Sequence, residues 1–351
     1  MKLFDCGNCS NTLFFENVSC EKCGHLVGYS SSNALMNTFK PTAYPLVSDR
    51  EGGAFKYCCN TEYGVCNWII PADSNHTFCA ACELNQTIPN LSDAANFTKW
   101  QKLEVAKHRL IYQLQRLNLD ILPKESNHKT GLCFDFISKQ GNPKIMTGHA
   151  NGVITILLAE ADSVHREQMR KQFSEPYRTL IGHFRHEVGH YYWDRLIATS
   201  DISLALFREQ FGDDRIDYNL ALQRYYRNAA PTNWQENYIS QYASAHPWED
   251  WAETWAHYLH IMDMAETAYY FGMSVDPSVK DTSLKGSIDF DPYEIRDFIK
   301  IYQAWLPISF AINSLNRSMG VPDAYPFVVS LAVVEKMKFI HKIIVDSGIT
   351  S

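Results

Sequence analysis

The 351-residue sequence predicts an α+β fold: small cysteine-rich modules, then one large, mostly helical domain with a short sheet. Three observations predict it. Nine of the ten cysteines lie before residue 83. The rest of the chain reads mainly in helical periods, with apolar residues three and four apart. One clear β-branched run, Asn151 to Ala159, marks the sheet.

Residues 1–30 read as the first module. Cys6-x-x-Cys9 and Cys20-x-x-Cys23 are two knuckles separated by a ten-residue loop. Four thiolates at this spacing close a tetrahedral structural zinc site, a zinc ribbon. Two disulfides or a redox pair are the alternatives. Met1 to Asp5 runs straight into the first cysteine with no apolar signal stretch, so a cytoplasmic chain is expected. In that compartment metal is favoured over disulfide.

Residues 31–50 read as a linker, from Ser31, Ser32 and Asn33 to the prolines Pro41 and Pro45. Residues 51–90 hold a second cysteine cluster: Cys58, Cys59, Cys66 and the knuckle Cys79-Ala-Ala-Cys82. Cys66, Cys79, Cys82 and one of the adjacent pair make four ligands, with Cys58 favoured over Cys59. His76 is an alternative donor, and Cys133 reads as a small buried apolar residue.

Residues 91–351 form the large domain. A charged amphipathic helix is expected near Trp100–Leu117 and a short sheet near 130–160. Ser174-Glu175-Pro176 reads as a helix start, followed by a buried amphipathic helix from Tyr177 to Ile197. That helix contains His186-Glu187-Val188-Gly189-His190, an HExxH motif. Residues four apart lie one turn above each other, so both imidazoles can reach one zinc ion. Glu187 is then placed to act as general base on a zinc-activated water. An ordinary core helix with satisfied histidines is the bland alternative, but an acid between two histidines is costly to bury without a metal or a charge partner.

A third protein ligand is needed. A histidine six residues after His190 would supply it in metzincins, but Leu196 stands there. Pro247 suits the first turn of a later helix that carries Glu249 and Glu253 among three tryptophans. Glu249-Asp-Trp-Ala252-Glu253 resembles the third-ligand helix of gluzincins. That resemblance implies Glu249 as the ligand and Glu253 as the acid supporting a ligand histidine. The register stays open, because Glu253-Thr-Trp-Ala256 also fits Glu-x-x-Ala. Gluzincin-like sequences also carry a tyrosine seven residues before that glutamate. Tyr242 matches, which implies an oxyanion donor; a packed tyrosine is the alternative. Asp194, one turn after His190, is a candidate to orient a ligand or to pair with Arg195. His183, His257 and His260 read as supporting or core histidines. The run from Asn151 to Ala159 can be a zincin edge strand that pairs with extended substrate, or a plain buried strand. Arg317 can bind a substrate carboxylate, although a surface salt bridge suits it better.

Net charge is −7, and residues 1–30 carry only Lys2 and Lys22 as fixed positive charges, which disfavours nucleic acid as a partner. The longest apolar stretch, Phe327 to Val334, is far too short to span a bilayer.

Longer segments carry a specific resemblance. They include Val65-Cys-Asn-Trp68, Leu84 to Pro89, Thr147 to Val153, Glu175 to Leu180, His183 to Asp194, Phe211-Gly-Asp213, Tyr242 to His260 and Leu315 to Gly320. The chain resembles the bacterial family of zinc-binding metallopeptidases with an N-terminal zinc ribbon. The resemblance covers almost the whole chain, and the doubled Cys58-Cys59 departs from it. It implies a zincin-like peptidase domain, one catalytic zinc and one or two structural zincs, and a peptide or protein substrate. A protein partner for the ribbon is expected rather than nucleic acid or a membrane. The alternative is an adaptor or regulator with a non-catalytic zincin site; its weakness is that a purely structural site needs no base at Glu187.

Overall fold

A computed structural model describes residues 1–41, 46–48, 53–138, 145–172, 178–280 and 282–348. The N-terminal part is built from short strands. β1 (Phe4–Asp5) and β2 (Thr12–Leu13) pair antiparallel around the first knuckle. β3 (Leu26–Ser30), β4 (Leu35–Phe39), β5 (Leu46–Val47), β6 (Ala54–Tyr57) and β7 (Trp68–Pro71) form one sheet in the order β4-β3-β7-β6-β5. β3 and β7 run parallel; the other pairs are antiparallel.

This sheet corrects the expected linker at 31–50. β4 and β5 lie inside that stretch and join the ribbon to the second cysteine segment. Polar residues hid the strand. Asn37 and Thr38 are buried, but Asn37 Oδ1 accepts from Ser48 Oγ at 2.7 Å and Thr38 Oγ1 accepts from the Gly7 amide at 2.9 Å. These bonds offset the cost of burying the two side-chain oxygens. Part of the expected linker, including Pro45, lies outside the described residues.

A second sheet contains β8 (Asn85–Thr87), β9 (Cys133–Ile137), β10 (Gly148–Ala150) and β11 (Val153–Leu157), in the order β10-β11-β9-β8. β10 and β11 form a hairpin whose central residues, Asn151 and Gly152, have φ of 49° and 79°. Positive φ at both central positions of a two-residue loop is the type I′ signature, which Asn-Gly favours. Gly152 is required there on a second ground: a Cβ would stand 2.0 Å from the Gly131 carbonyl oxygen. Of the two readings left open for the 151–159 run, the inner strand is the one observed. β11 is paired on both sides, to β10 and to β9, and the edge belongs to β10.

The helices are α1 (Ala94–Arg116), α2 (Ser163–Gln172), α3 (Leu180–Leu196), α4 (Asp201–Phe211), α5 (Tyr218–Asn228), α6 (Pro247–Tyr270), α7 (Phe298–Ser318) and α8 (Leu331–Ser347). A small hairpin, β12 (Ser274–Val275) with β13 (Gly286–Ser287), lies between α6 and α7. The expected start of the motif helix at Ser174-Glu175-Pro176 lies outside the described residues. α3 is capped by Thr179, whose side chain accepts from the Gly182 amide at 3.1 Å. α6 starts at Pro247, as the sequence suggests, with the His246 ring accepting from the Trp248 amide at 3.0 Å.

The two parts share one apolar core. Phe15 and Tyr29 from the ribbon pack on Tyr112 of α1 with ring centroids 5.0 and 5.8 Å away, and Trp68 stands 4.8 Å from Tyr29. Tyr112 in turn donates to Glu266 of α6 at 2.5 Å. The cysteine segments are thus packed against the helices that carry the candidate site.

α3 and α6 are in close contact, and Gly189 is the reason. A Cβ there would lie 3.1 Å from Ala252 Cα and 3.2 Å from Trp255 Cβ. Alanine is better than glycine in a helix by about 1 kcal/mol. Overpacking a tight contact costs about 1–3 kcal/mol, and here the obstructing atoms belong to the backbone and first side-chain carbon of α6. Packing outweighs propensity, so Gly189→Ala is expected to lower the denaturant midpoint. A raised midpoint would mean that the two helices have room to spare.

Candidate metal centre and active site

The close approach of α3 and α6 brings His186, His190 and Glu249 together. His186 Nε2 lies 3.2 Å from His190 Nε2 and 3.1 Å from Glu249 Oε2, and His190 Nε2 lies 3.5 Å from the same oxygen. Tetrahedral zinc with donors at about 2.0–2.1 Å needs donor–donor separations of about 3.3–3.4 Å. The three atoms therefore outline one face of such a site. Glu249 Oε2 is sealed from solvent, and no hydrogen-bond donor is aligned on it. The donor chemistry and its spacing fit zinc.

Charge in the site points the same way. Burial disfavours a charged His186, but the nearby carboxylates of Glu249 and Glu253 outweigh that and hold its pKa well above the ordinary value. Burial would raise the Glu249 carboxyl, yet His190 and His186 hold it well below the carboxylate range. The two acids thus stabilise positive charge on His186.

The second carboxylate takes the supporting place. Glu253 Oε1 lies 2.7 Å from His186 Nδ1, and its other oxygen accepts from Ser240 Oγ at 2.6 Å. A carboxylate on the far nitrogen fixes the tautomer that leaves Nε2 free to bind metal. Of the two registers open in the sequence, this geometry sets Glu249 beside both imidazoles and Glu253 behind one of them.

Glu187 is buried next to this point. Burial is the main cause that lifts its carboxyl to about 7, opposed by His186 and assisted by Glu249 and Glu253. Tyr242 sits in a 3₁₀ turn, its ring centroid 6.1 Å from that of His186. Burial, then the Glu249 charge, push its hydroxyl far above its ordinary pKa, so it keeps its proton.

Asp194 does not join the site. It is exposed, and Arg195 pairs instead with Asp120 at 3.1 Å and with the Tyr191 hydroxyl at 2.9 Å. The Asp194 carboxylate meets neither a ligand histidine nor Arg195, so both expected roles are corrected. His183, His257 and His260 serve elsewhere: His183 faces Glu160 at 3.1 Å, His257 the Tyr325 hydroxyl at 3.0 Å and His260 the Arg185 guanidinium at 2.5 Å. Arg317 forms a salt bridge with Asp323 at 2.6 Å.

Three neighbours of the centre went unread in the sequence. Tyr218 of α5 donates to Glu249 Oε1 at 2.5 Å. Trp248 lies over the His190 ring, 3.7 Å between centroids. His149, on edge strand β10, has its ring 6.5 Å from that of His190. Trp248 had a signal in its adjacency to Glu249; Tyr218, on another helix 31 residues upstream, had none.

Both cysteine sets also converge. Cys6 Sγ lies 3.6 Å from Cys23 Sγ, and Cys9 Sγ lies 3.6 Å from Cys20 Sγ. Cys66 and Cys79 are 3.7 Å apart, with Cys58 and Cys82 in the same cluster. Zinc–sulfur bonds of about 2.3 Å require sulfur separations of about 3.8 Å. Cys59 is exposed and outside the cluster. His76 is exposed and bonded to Glu83, so it replaces no thiol. His108 of α1 was missed; its Nε2 lies 3.5 Å from Cys82 Sγ.

Comparison with known proteins agrees with this geometry. Residues 96–343 match a family described as "Putative zinc-binding metallo-peptidase", and residues 3–93 match a zinc-ribbon domain. Uncharacterized proteins of Mycobacterium tuberculosis and Mycobacterium bovis are 42% identical over 344 residues, 98% of this chain and 95% of theirs. No solved structure matches. Among the described residues no helix is long and apolar enough to cross a membrane. With three metal-type donors meeting on two packed helices and a family match across that whole region, the chain belongs to this family of zinc-binding metallopeptidases that carry an N-terminal zinc ribbon.

Proposed function

We propose that the protein hydrolyses peptide bonds as a gluzincin-type HExxH zinc peptidase, with His186, His190 and Glu249 as zinc ligands. The observation that supports this most is the triangle of donor atoms with edges of 3.1, 3.2 and 3.5 Å. Zinc held there supplies Lewis-acid polarisation of a substrate carbonyl and lowers the pKa of water. Glu187 takes a proton from the attacking water as its oxygen bonds to the carbonyl carbon. It then gives that proton to the amine as the carbon–nitrogen bond breaks. Tyr242, still protonated, donates to the oxyanion. Glu253 holds His186 in orientation. The outer edge of β10, beside His190, suits an extended peptide backbone.

In this reading the two cysteine sets each hold a structural zinc, through Cys6, Cys9, Cys20 and Cys23 and through Cys58, Cys66, Cys79 and Cys82. None of the ten cysteines is joined in a disulfide, which suits a reducing cytoplasm. A second role for the ribbon, docking a protein partner, is favoured by one observation: Phe14 and Val18 are 53% and 58% exposed on it. The test of the peptidase reading is hydrolysis of a mixed peptide library by wild type and by Glu187→Gln. Cleavage by the first alone supports it, and equal cleavage by both sinks the mechanism.

A further inference from the structure

One strong contact at the centre has no part in that scheme. Tyr218, the first residue of α5, donates to Glu249 Oε1 at 2.5 Å. The other carboxylate oxygen, Oε2, is the one that faces His186 and His190. An ionised carboxylate only accepts, so the proton in this bond is the tyrosine's.

Tyr218 is held firmly enough to do this. Its ring meets Trp248 edge-on at 5.6 Å and His246 at 5.3 Å. Trp248 in turn lies on His190, and Asp217 caps α5 by accepting from the Leu220 amide at 2.8 Å. The residues that flank two of the donors thus also fix the tyrosine.

We propose that Tyr218 is a positioning residue of the metal centre: by occupying Oε1 of Glu249 it leaves one carboxylate oxygen for the metal. The proposal rests on the reading of His186, His190 and Glu249 as ligands. Its consequence is coordination number. A carboxylate with both oxygens free can bind through both and fill the position that a catalytic zinc keeps open for water or substrate.

The test uses the full chain, with Tyr218→Phe and Tyr242→Phe beside wild type. Zinc affinity is measured against a competing chelator, and cobalt is then placed in the vacated site to read its visible absorption. Tyr218→Phe is expected to weaken the chelator-sensitive metal by about 10- to 100-fold, the usual effect of removing a supporting hydrogen bond. Its cobalt bands should weaken as the fourfold geometry is lost. Tyr242→Phe should bind the metal about as wild type does and keep the wild-type spectrum. Unchanged affinity and spectrum in Tyr218→Phe would overturn the positioning role. Loss of the cysteine-held metals in that variant would overturn it too, by making Tyr218 a residue of the fold. If the ligand reading itself is wrong, the signature differs: wild type then holds no metal that His186→Ala removes.

Discussion

Glu187→Gln is expected to keep its full complement of metal and to lose peptide hydrolysis by about 10²- to 10⁴-fold, the range that a positioned general base contributes. The side chains are nearly the same size, so α3 and its two histidines stay in place. An amide cannot take a proton from water at neutral pH, and that is the function removed. The loss will not come from unfolding. Burial already lifts the Glu187 carboxyl to about 7, which means the fold disfavours its charge. A neutral amide relieves that cost, so the variant should melt at or above the wild-type temperature. Hydrolysis by initial rate, with a thermal melt on the same sample, checks both halves. A variant with wild-type rates would remove Glu187 from the reaction.

Cys79→Ser is expected to prevent folding altogether. Cys79 is 1% exposed and its sulfur lies 3.7 Å from that of Cys66 in a fully buried set. The set is part of the same apolar core as Trp68, Trp100 and Leu110. Structural zinc sites of this kind bind with about 10–16 kcal/mol of free energy. A whole domain is stable by only about 5–15 kcal/mol. Losing most of that binding energy exceeds what the rest of the fold can supply, and three buried thiols are left without their cation. The prediction is insoluble protein, or soluble protein with no cooperative melt. A soluble variant with wild-type melting would show that this cluster holds no metal of structural weight.

The candidate site was legible in the sequence where the chemistry is local. His186 and His190 are one helical turn apart; two Cys-x-x-Cys knuckles announce the first thiolate set, and one, Cys79-x-x-Cys82, announces the second. Glu249 needed more: its helix was readable from Pro247, but the choice between Glu249 and Glu253 depends on how α3 crosses α6. That crossing is set by Gly189 against Ala252, a contact between residues 63 apart that no local pattern encodes. Tyr218 was illegible for the same reason.

The fold was legible in its helices and less so in its strands. α6 begins at the expected proline. β4 was missed because Asn37 and Thr38 look like linker residues until their partners, Ser48 and Gly7, are in place. The β10–β11 hairpin had a signal, Asn151-Gly152, that the surrounding apolar run obscured. Asp194 was misread because helical spacing gives a direction and not an exposure.

The most direct test of the central claim is the metal content of purified wild type beside His186→Ala. Wild type should hold about three zinc ions per chain, and the variant one fewer, with the cysteine-held pair intact. Two zinc ions in both proteins would contradict it, leaving the triangle of His186, His190 and Glu249 without a metal to hold.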